Sequence, residues 1–174
     1  MPLDDNIQAR ATLEVRHERR YDYDEGRGIW RYRRVDDDER YSNIVTNAGR
    51  VAIHTFVYGT AGQRSAAGLG SGLHFIGISN SSTLPAAGDT TLADEFTTDG
   101  LGRALGTVTL PTGVGTITQI QRQFTYSGAS PQGVQKAALF DLVTGGHMAH
   151  EILFNQRLMS PLDTLTLVFN VTLS

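Results

Sequence analysis

The sequence predicts a mainly β protein: a β-sandwich with one α-helix and an N-terminal charged β-hairpin arm. Three features lead to that fold class. Residues 7–18 alternate between apolar and polar positions, and the closing run 164–173 does the same. Between them, from residue 73 onward, short β-prone runs recur with Gly and Pro separating them. Period-two alternation puts neighbouring side chains on opposite faces, the mark of a strand with one buried face. Short strands at this spacing point to two packed sheets.

The chain has 174 residues, 40% hydrophobic and 19% charged, enough to bury a core and too apolar for global disorder. Cysteine is absent, which removes disulfides, thiolate metal sites and thiol nucleophiles. A net charge of −3 gives no electrostatic reason to expect direct nucleic-acid or membrane binding. That charge is very unevenly placed. Residues 1–40 hold nine of the 15 basic groups and 11 of the 18 acids, leaving a sparsely charged body. Fourteen of the basic residues are Arg, and Lys136 is the only lysine. Arg presents a planar fork of donors suited to carboxylates at protein interfaces. No run approaches the roughly 20 apolar residues of a membrane helix. The start, Met-Pro-Leu-Asp-Asp-Asn, lacks the basic and apolar regions of a secretory signal, so the sequons at Asn80 and Asn170 are read as accidental.

Along the chain, residues 1–42 read as the charged arm. Ile7, Ala9, Ala11, Leu13, Val15 and His17 share one face, with Gln8, Arg10, Thr12, Glu14, Arg16 and Glu18 on the other. Tyr21 and Tyr23, a turn at 24–28, then Trp30 and Tyr32 predict a hairpin with aromatic residues pairing across it and an Arg-rich outer face. Asp36-Asp37-Asp38-Glu39 reads as a solvated break. Residues 43–59 predict the helix. Asn43 serves as N-cap, Ile44, Ala48, Val51, Ala52 and Thr55 form one stripe, and Gly59 ends it. Residues 60–72 are Gly- and Ala-rich and read as a linker. The body, 73–174, carries strand candidates at 73–79, 101–110, 116–126, 134–142, 147–155 and 164–173. In the last, Leu165, Leu167, Phe169, Val171 and Leu173 face in while Thr164, Thr166, Asn170 and Thr172 face out.

Chemistry-bearing motifs are sparse. His147-Met-Ala-His150-Glu151 lacks the spacing of the helical His-Glu-x-x-His zinc motif, and in a strand its two histidines point to opposite faces. The acidic stretches at 22–26 and 36–39 lack the spacing of a calcium loop. Gly68-x-Gly70-x-Gly72 precedes a strand and opens no helix, so it is no phosphate-binding turn. There is no Gly-x-Ser-x-Gly turn, and His54 and His74 read as packed structural residues. Asp94 and Glu95 are adjacent, which in a strand sends them to opposite faces. No enzyme, cofactor or metal is expected. A basic–aromatic platform for nucleic acid is disfavoured because carboxylates outnumber arginines within it. Dense mixed charge with Arg, Tyr and Trp suits a protein partner. The expected contact residues are Arg16, Arg19, Arg20, Tyr21, Tyr23, Trp30, Arg31, Tyr32, Arg33 and Arg34.

Several segments together resemble small virion structural proteins of tailed bacteriophages. They are LHFIGIS (73–79), the Pro85–Glu95 stretch with its Leu-x-x-Glu, Arg103, AALFDLVTGGHMAHEILF (137–154) and SPLDTLTLVFNVTL (160–173). The helix at 44–58 is also similar to one preceding that domain, and Ala137-Ala138-Leu139-Phe140 departs from the family pattern in lacking a glycine before Leu-Phe. The resemblance implies a β-sandwich built into a capsid or tail. Capsid decoration (cement) proteins combine such a body with an arm across neighbouring subunits. The expected partners are therefore the major capsid protein or neighbouring virion proteins, with a homo-oligomer, a trimer first, in the virion. Neck, tail-tip or fibre attachment is the alternative location, and a carbohydrate-binding sandwich for host attachment is the alternative class.

Overall fold

In a computed structural model, the described residues are 9–24, 27, 29–35, 39–42, 44–46, 49, 72–109 and 117–173. They are mainly β and form two antiparallel sheets. The first runs β2 (Ile29–Arg34), β1 (Ala9–Asp24), β11 (Thr164–Leu173), β8 (Ile117–Thr125) and β7 (Thr107–Thr109), with β3 (Glu39–Ser42) also on β1. The second runs β4 (Ile44–Val45), β10 (Met148–Met159), β9 (Gln132–Phe140), β5 (Phe75–Ser79) and β6 (Ala104–Leu105).

One apolar core is shared by both sheets. Leu13, Val15, Ile120, Phe124, Leu165, Leu167 and Phe169 from the first meet Ile76, Ile78, Leu139, Ile152, Phe154 and Met159 from the second. These are the inward positions that period-two alternation assigns in β1 and β11. Burying each such side chain stabilises the fold by about 1.5–3 kcal/mol.

The two sheets are tied together along both sides by short strands that change layer. β3 ends at Ser42 in the first sheet and β4 begins at Ile44 in the second, where Ile44 and Val45 pair with Glu151 and His150. On the opposite side β6 and β7 flank Gly106, whose N–H donates to His74 O at 2.8 Å. A Cβ at Gly106 would sit 2.7 Å from Ile120 Cγ2, so only glycine lets the chain turn this corner so close to the core. The segment expected to be one strand over 101–110 is therefore two short strands bent at Gly106.

The expected helix needs a correction at its start. Ile44 and Val45 are strand, because β-branched residues here find ladder partners on β10. Thr46 then accepts the Gly49 N–H at 2.9 Å and donates to Met148 O, an N-cap arrangement with Gly49 in helical conformation. Asn43, the remainder of that helix through residue 59 and the linker to residue 71 lie outside the described residues. Glu39, read as part of a solvated break, pairs with Val15 in β3. Thr164 and Thr166 face outward as expected yet are buried, since β11 is flanked on both sides by β1 and β8.

The second sheet is covered on its outer face too. Leu92 packs with Phe75, Ala138, Phe140 and Met148, carried there by the loop after β5. Arg103 fixes that loop. It donates from Nε and Nη2 to both Glu95 oxygens at 2.7 Å, and from Nη1 to Leu142 O and Gly145 O. Its guanidinium lies 3.3 Å above the Phe140 ring centroid. Gly77 leaves room for this, because a Cβ there would come within 2.6 Å of Glu95 Oε1. The loop carrying Leu92 and Glu95, Arg103 and the β9–β10 turn thus converge on one clamp over one sheet face.

Residues 9–18, read as part of an arm, are an inner strand between β11 and β3. Leu13→Ala is expected to lower the unfolding free energy by about 3 kcal/mol in chemical denaturation, as for a fully buried leucine. A loss below about 1 kcal/mol would show that β1 is not part of the core.

Candidate functional site

β1 is longer than its partner. β11 starts at Thr164, opposite Glu18, so residues 19–24 run past the end of the sheet and pair only with β2. The register sets Glu18 against Arg34, Arg19 against Arg33, Arg20 against Tyr32, Asp22 against Arg31 and Tyr23 against Trp30. A bulge at Tyr21 separates the third and fourth of these pairs. It adds one residue to β1 relative to β2. Tyr32 is 48% exposed, and Arg33 and Arg34 are exposed beside it.

Like charges directly opposite each other destabilise a strand pair, and Arg19 and Arg33 are such a pair. The structure relieves this by turning Arg19 toward the body. Its Nε donates to Asp163 Oδ2 at 3.3 Å and its Nη2 to Leu158 O at 3.3 Å. Asp163 is buried and also bonds His17 Nε2 at 3.1 Å and the Ser160 N–H at 2.8 Å. Asp163 sits in the turn Ser160-Pro161-Leu162-Asp163, closed by its own N–H on Ser160 O at 3.0 Å. This buried carboxylate pins the root of the hairpin to the β10–β11 corner.

The expected contact residues are thus partly regrouped. Arg16 lies within the sheet and donates to Glu14 at 2.6 and 2.9 Å. Arg19 is committed to the pin, and Arg20 follows it at the sheet's end. Tyr32, Arg33 and Arg34 are exposed on the projecting strand, with Trp30 and Arg31 continuing it. Among the described residues β2, with six residues, is longer than the other strands that end a sheet, since β4, β6 and β7 have two or three each. An unpaired strand edge is a template for another chain. Asp163 and His17 escaped sequence reasoning as members of the site. The Ser-Pro-Leu-Asp turn marked a corner, but nothing local marked it as the hairpin's neighbour.

The His147–Glu151 cluster does not assemble. His147 accepts or donates through Nδ1 with Asp141 at 3.0 Å, at the mouth of the β9–β10 turn. His150 lies opposite Leu139 on the core side, and Glu151 lies on the other face, 2.9 Å from Lys136 Nζ. Among the described residues no group of three or more His, Asp or Glu is placed to hold a metal ion. No helix among them is long and apolar enough to cross a membrane.

Burial pushes the His150 imidazole down from 6.5 to about 4. The unfolded chain binds this proton at higher pH than the folded one, so the stabilisation is complete above pH 6.5 and is lost as pH falls toward 4. Denaturation titrations should show about 3 kcal/mol of acid-side loss across that window which His150→Gln removes. Equal pH dependence in the two proteins would contradict a neutral buried imidazole. No protein-family model matches the chain, and no curated protein or solved structure is significantly similar to it.

Proposed function

We propose that the chain is a β-sandwich that serves as a non-enzymatic structural component of a tailed-phage virion, a decoration (cement) protein of the capsid. It attaches to its neighbours through the hairpin at 19–34. The observation that carries the attachment is the hairpin's projection beyond Glu18 with β2 as a long open edge. The placement in a virion rests on the sequence resemblance.

The mode of attachment follows from the chemistry of that edge. Backbone N–H and C=O groups of β2 add to a partner strand, which supplies affinity independent of side chains. The rows of Arg with interspersed Asp supply orientation and choice of partner, and Tyr32 supplies an exposed aromatic contact. The body gives this edge a fixed direction through Asp163. A hairpin free in solution is marginally stable, whereas one whose first strand continues into a packed sheet is held in place.

The test separates hairpin from body. Replacing residues 20–32 by Asn-Gly joins Arg19 to Arg33 through a two-residue turn and leaves Asp163 its partners. This variant should keep a cooperative unfolding transition and be absent from purified particles, in which the full chain is present in hundreds of copies on the order expected of a shell surface. Retention of the variant in particles at full-chain levels would overturn the attachment role.

A further inference from the structure

Lys136 is the chain's only lysine, against fourteen arginines, and it is placed where a solvated ammonium has no access to water. It lies on β9 and Glu151 on the adjacent β10. Lys136 pairs with Leu153, and Ala138 with Glu151, so the two are diagonal neighbours on one face. Their side chains are each 1% exposed, with Nζ 2.9 Å from Glu151 Oε1. This is the outer face of the second sheet, under the loop that carries Asp89.

As an ion pair, this arrangement is poorly built. The other carboxylate oxygen, Glu151 Oε2, is buried with no hydrogen-bond partner among the described residues. A buried charge whose second oxygen is unsatisfied costs stability. On the same face the chain shows what a well-satisfied pair looks like: Arg103 bonds both oxygens of Glu95 at 2.7 Å. Arginine would do the same for Glu151. What lysine has and arginine lacks is a nitrogen that, once it loses a proton, carries a nucleophilic lone pair. The Asp89 carboxyl lies beside Glu151, with its Oδ2 accepting the Ala86 N–H at 2.8 Å. A buried amine and carboxyl and a second, half-buried carboxyl are therefore gathered on one face.

We propose that Lys136 and Glu151 join in an intramolecular isopeptide bond, formed by the folded chain itself with Asp89 as proton shuttle. Proton transfer within the pair leaves a neutral amine facing a neutral carboxylic acid. The Nζ lone pair attacks Glu151 Cδ, and the new C–N bond forms as the carbonyl π pair moves onto oxygen. The Asp89 carboxylate takes a proton from the attacking nitrogen and delivers it to the departing hydroxyl. The C–O bond breaks, one water leaves and a secondary amide remains, with no change in oxidation state and no other reactant.

Two physical features favour this step. Adjacent strands hold nucleophile and electrophile in contact, which replaces a bimolecular encounter. Burial, and then the neighbouring Asp89, push the Glu151 carboxyl above its ordinary range against the lowering pull of Lys136. Asp89 itself is held low, first by the Ala86 amide and then by Glu151. One carboxyl is thus biased toward the acid that an amine can convert to an amide, and the other toward the base that the proton transfers need. The product ties β9 to β10 covalently in a chain that has no disulfide.

Intact mass of the purified, denatured full-length chain tests the bond. The wild type should be lighter than its sequence by the mass of one water, and its digest should contain the Lys136 peptide joined to the Glu151 peptide. Because Lys136 is the sole lysine, an amine-reactive reagent should then label the denatured chain at its α-amino group alone. Lys136→Arg keeps the charge and the neighbour and should fold with its full sequence mass. Asp89→Asn leaves both bonding partners in place and should accumulate uncrosslinked chain. A cooperatively folding wild type that carries its full mass, with Lys136 labelled after denaturation, would overturn the proposal. An Asp89→Asn chain as fully dehydrated as wild type would overturn the role given to Asp89.

Discussion

The pairing of β1 with β11 is the constraint on which the rest of this structure depends. Ten consecutive residues, Ala9 to Glu18, lie in register with Leu173 to Thr164. That ladder joins the first strand of the chain to the last. It places Leu13 and Val15 in the shared core and leaves residues 19–24 of the same strand to run beyond the sheet. A single strand of 16 residues thus runs its first ten beside β11 and its last six in a projecting hairpin. Because a one-residue slip would turn Leu13, Val15 and His17 outward, the core fixes the direction in which the hairpin leaves.

The buried polar groups are arranged around this division. Asp163 sits where β10 turns into β11 and accepts from His17 and Arg19, one residue inside the sheet's end and one outside it. Arg103 performs the corresponding task on the far face, holding the loop after β5 against Phe140 and the β9–β10 turn. Lys136 and Glu151 form the third such pair, less completely satisfied than the other two. Among the described residues these three contacts stiffen the sheets, and two of them hold segments that would otherwise lie loosely on the surface.

Alternation made the strands at both ends legible. β11 spans 164–173 as the sequence implies, and the aromatic hairpin is registered with Tyr23 opposite Trp30. What the sequence did not show was partnership at a distance. Nothing in residues 7–18 says that their ladder partner lies some 150 residues away, so a charge-dense strand looked like a separate arm. Apolar spacing at Ile44 and Ala48 suited a helix, but strand pairing with His150 and Glu151 claims Ile44 and Val45. The corner at Gly106 was hidden for a similar reason, since alternation does not reveal a change of sheet. Lys136 did leave a signal, a lone lysine entering the apolar run Ala137–Phe140, although its partner came from another strand.

The central claim is that β1 belongs to two mechanical units, and native-state hydrogen exchange resolved along that strand tests it most directly. The account predicts that amides of Leu13 to His17 exchange only through global unfolding, at the same free energy as those of Leu165 to Phe169. Amides of Arg19 to Asp24 and their partners in β2 should exchange at markedly lower cost, through local opening of the hairpin. One uniform rate from residue 11 to residue 24, distinct from that of β11, would contradict it.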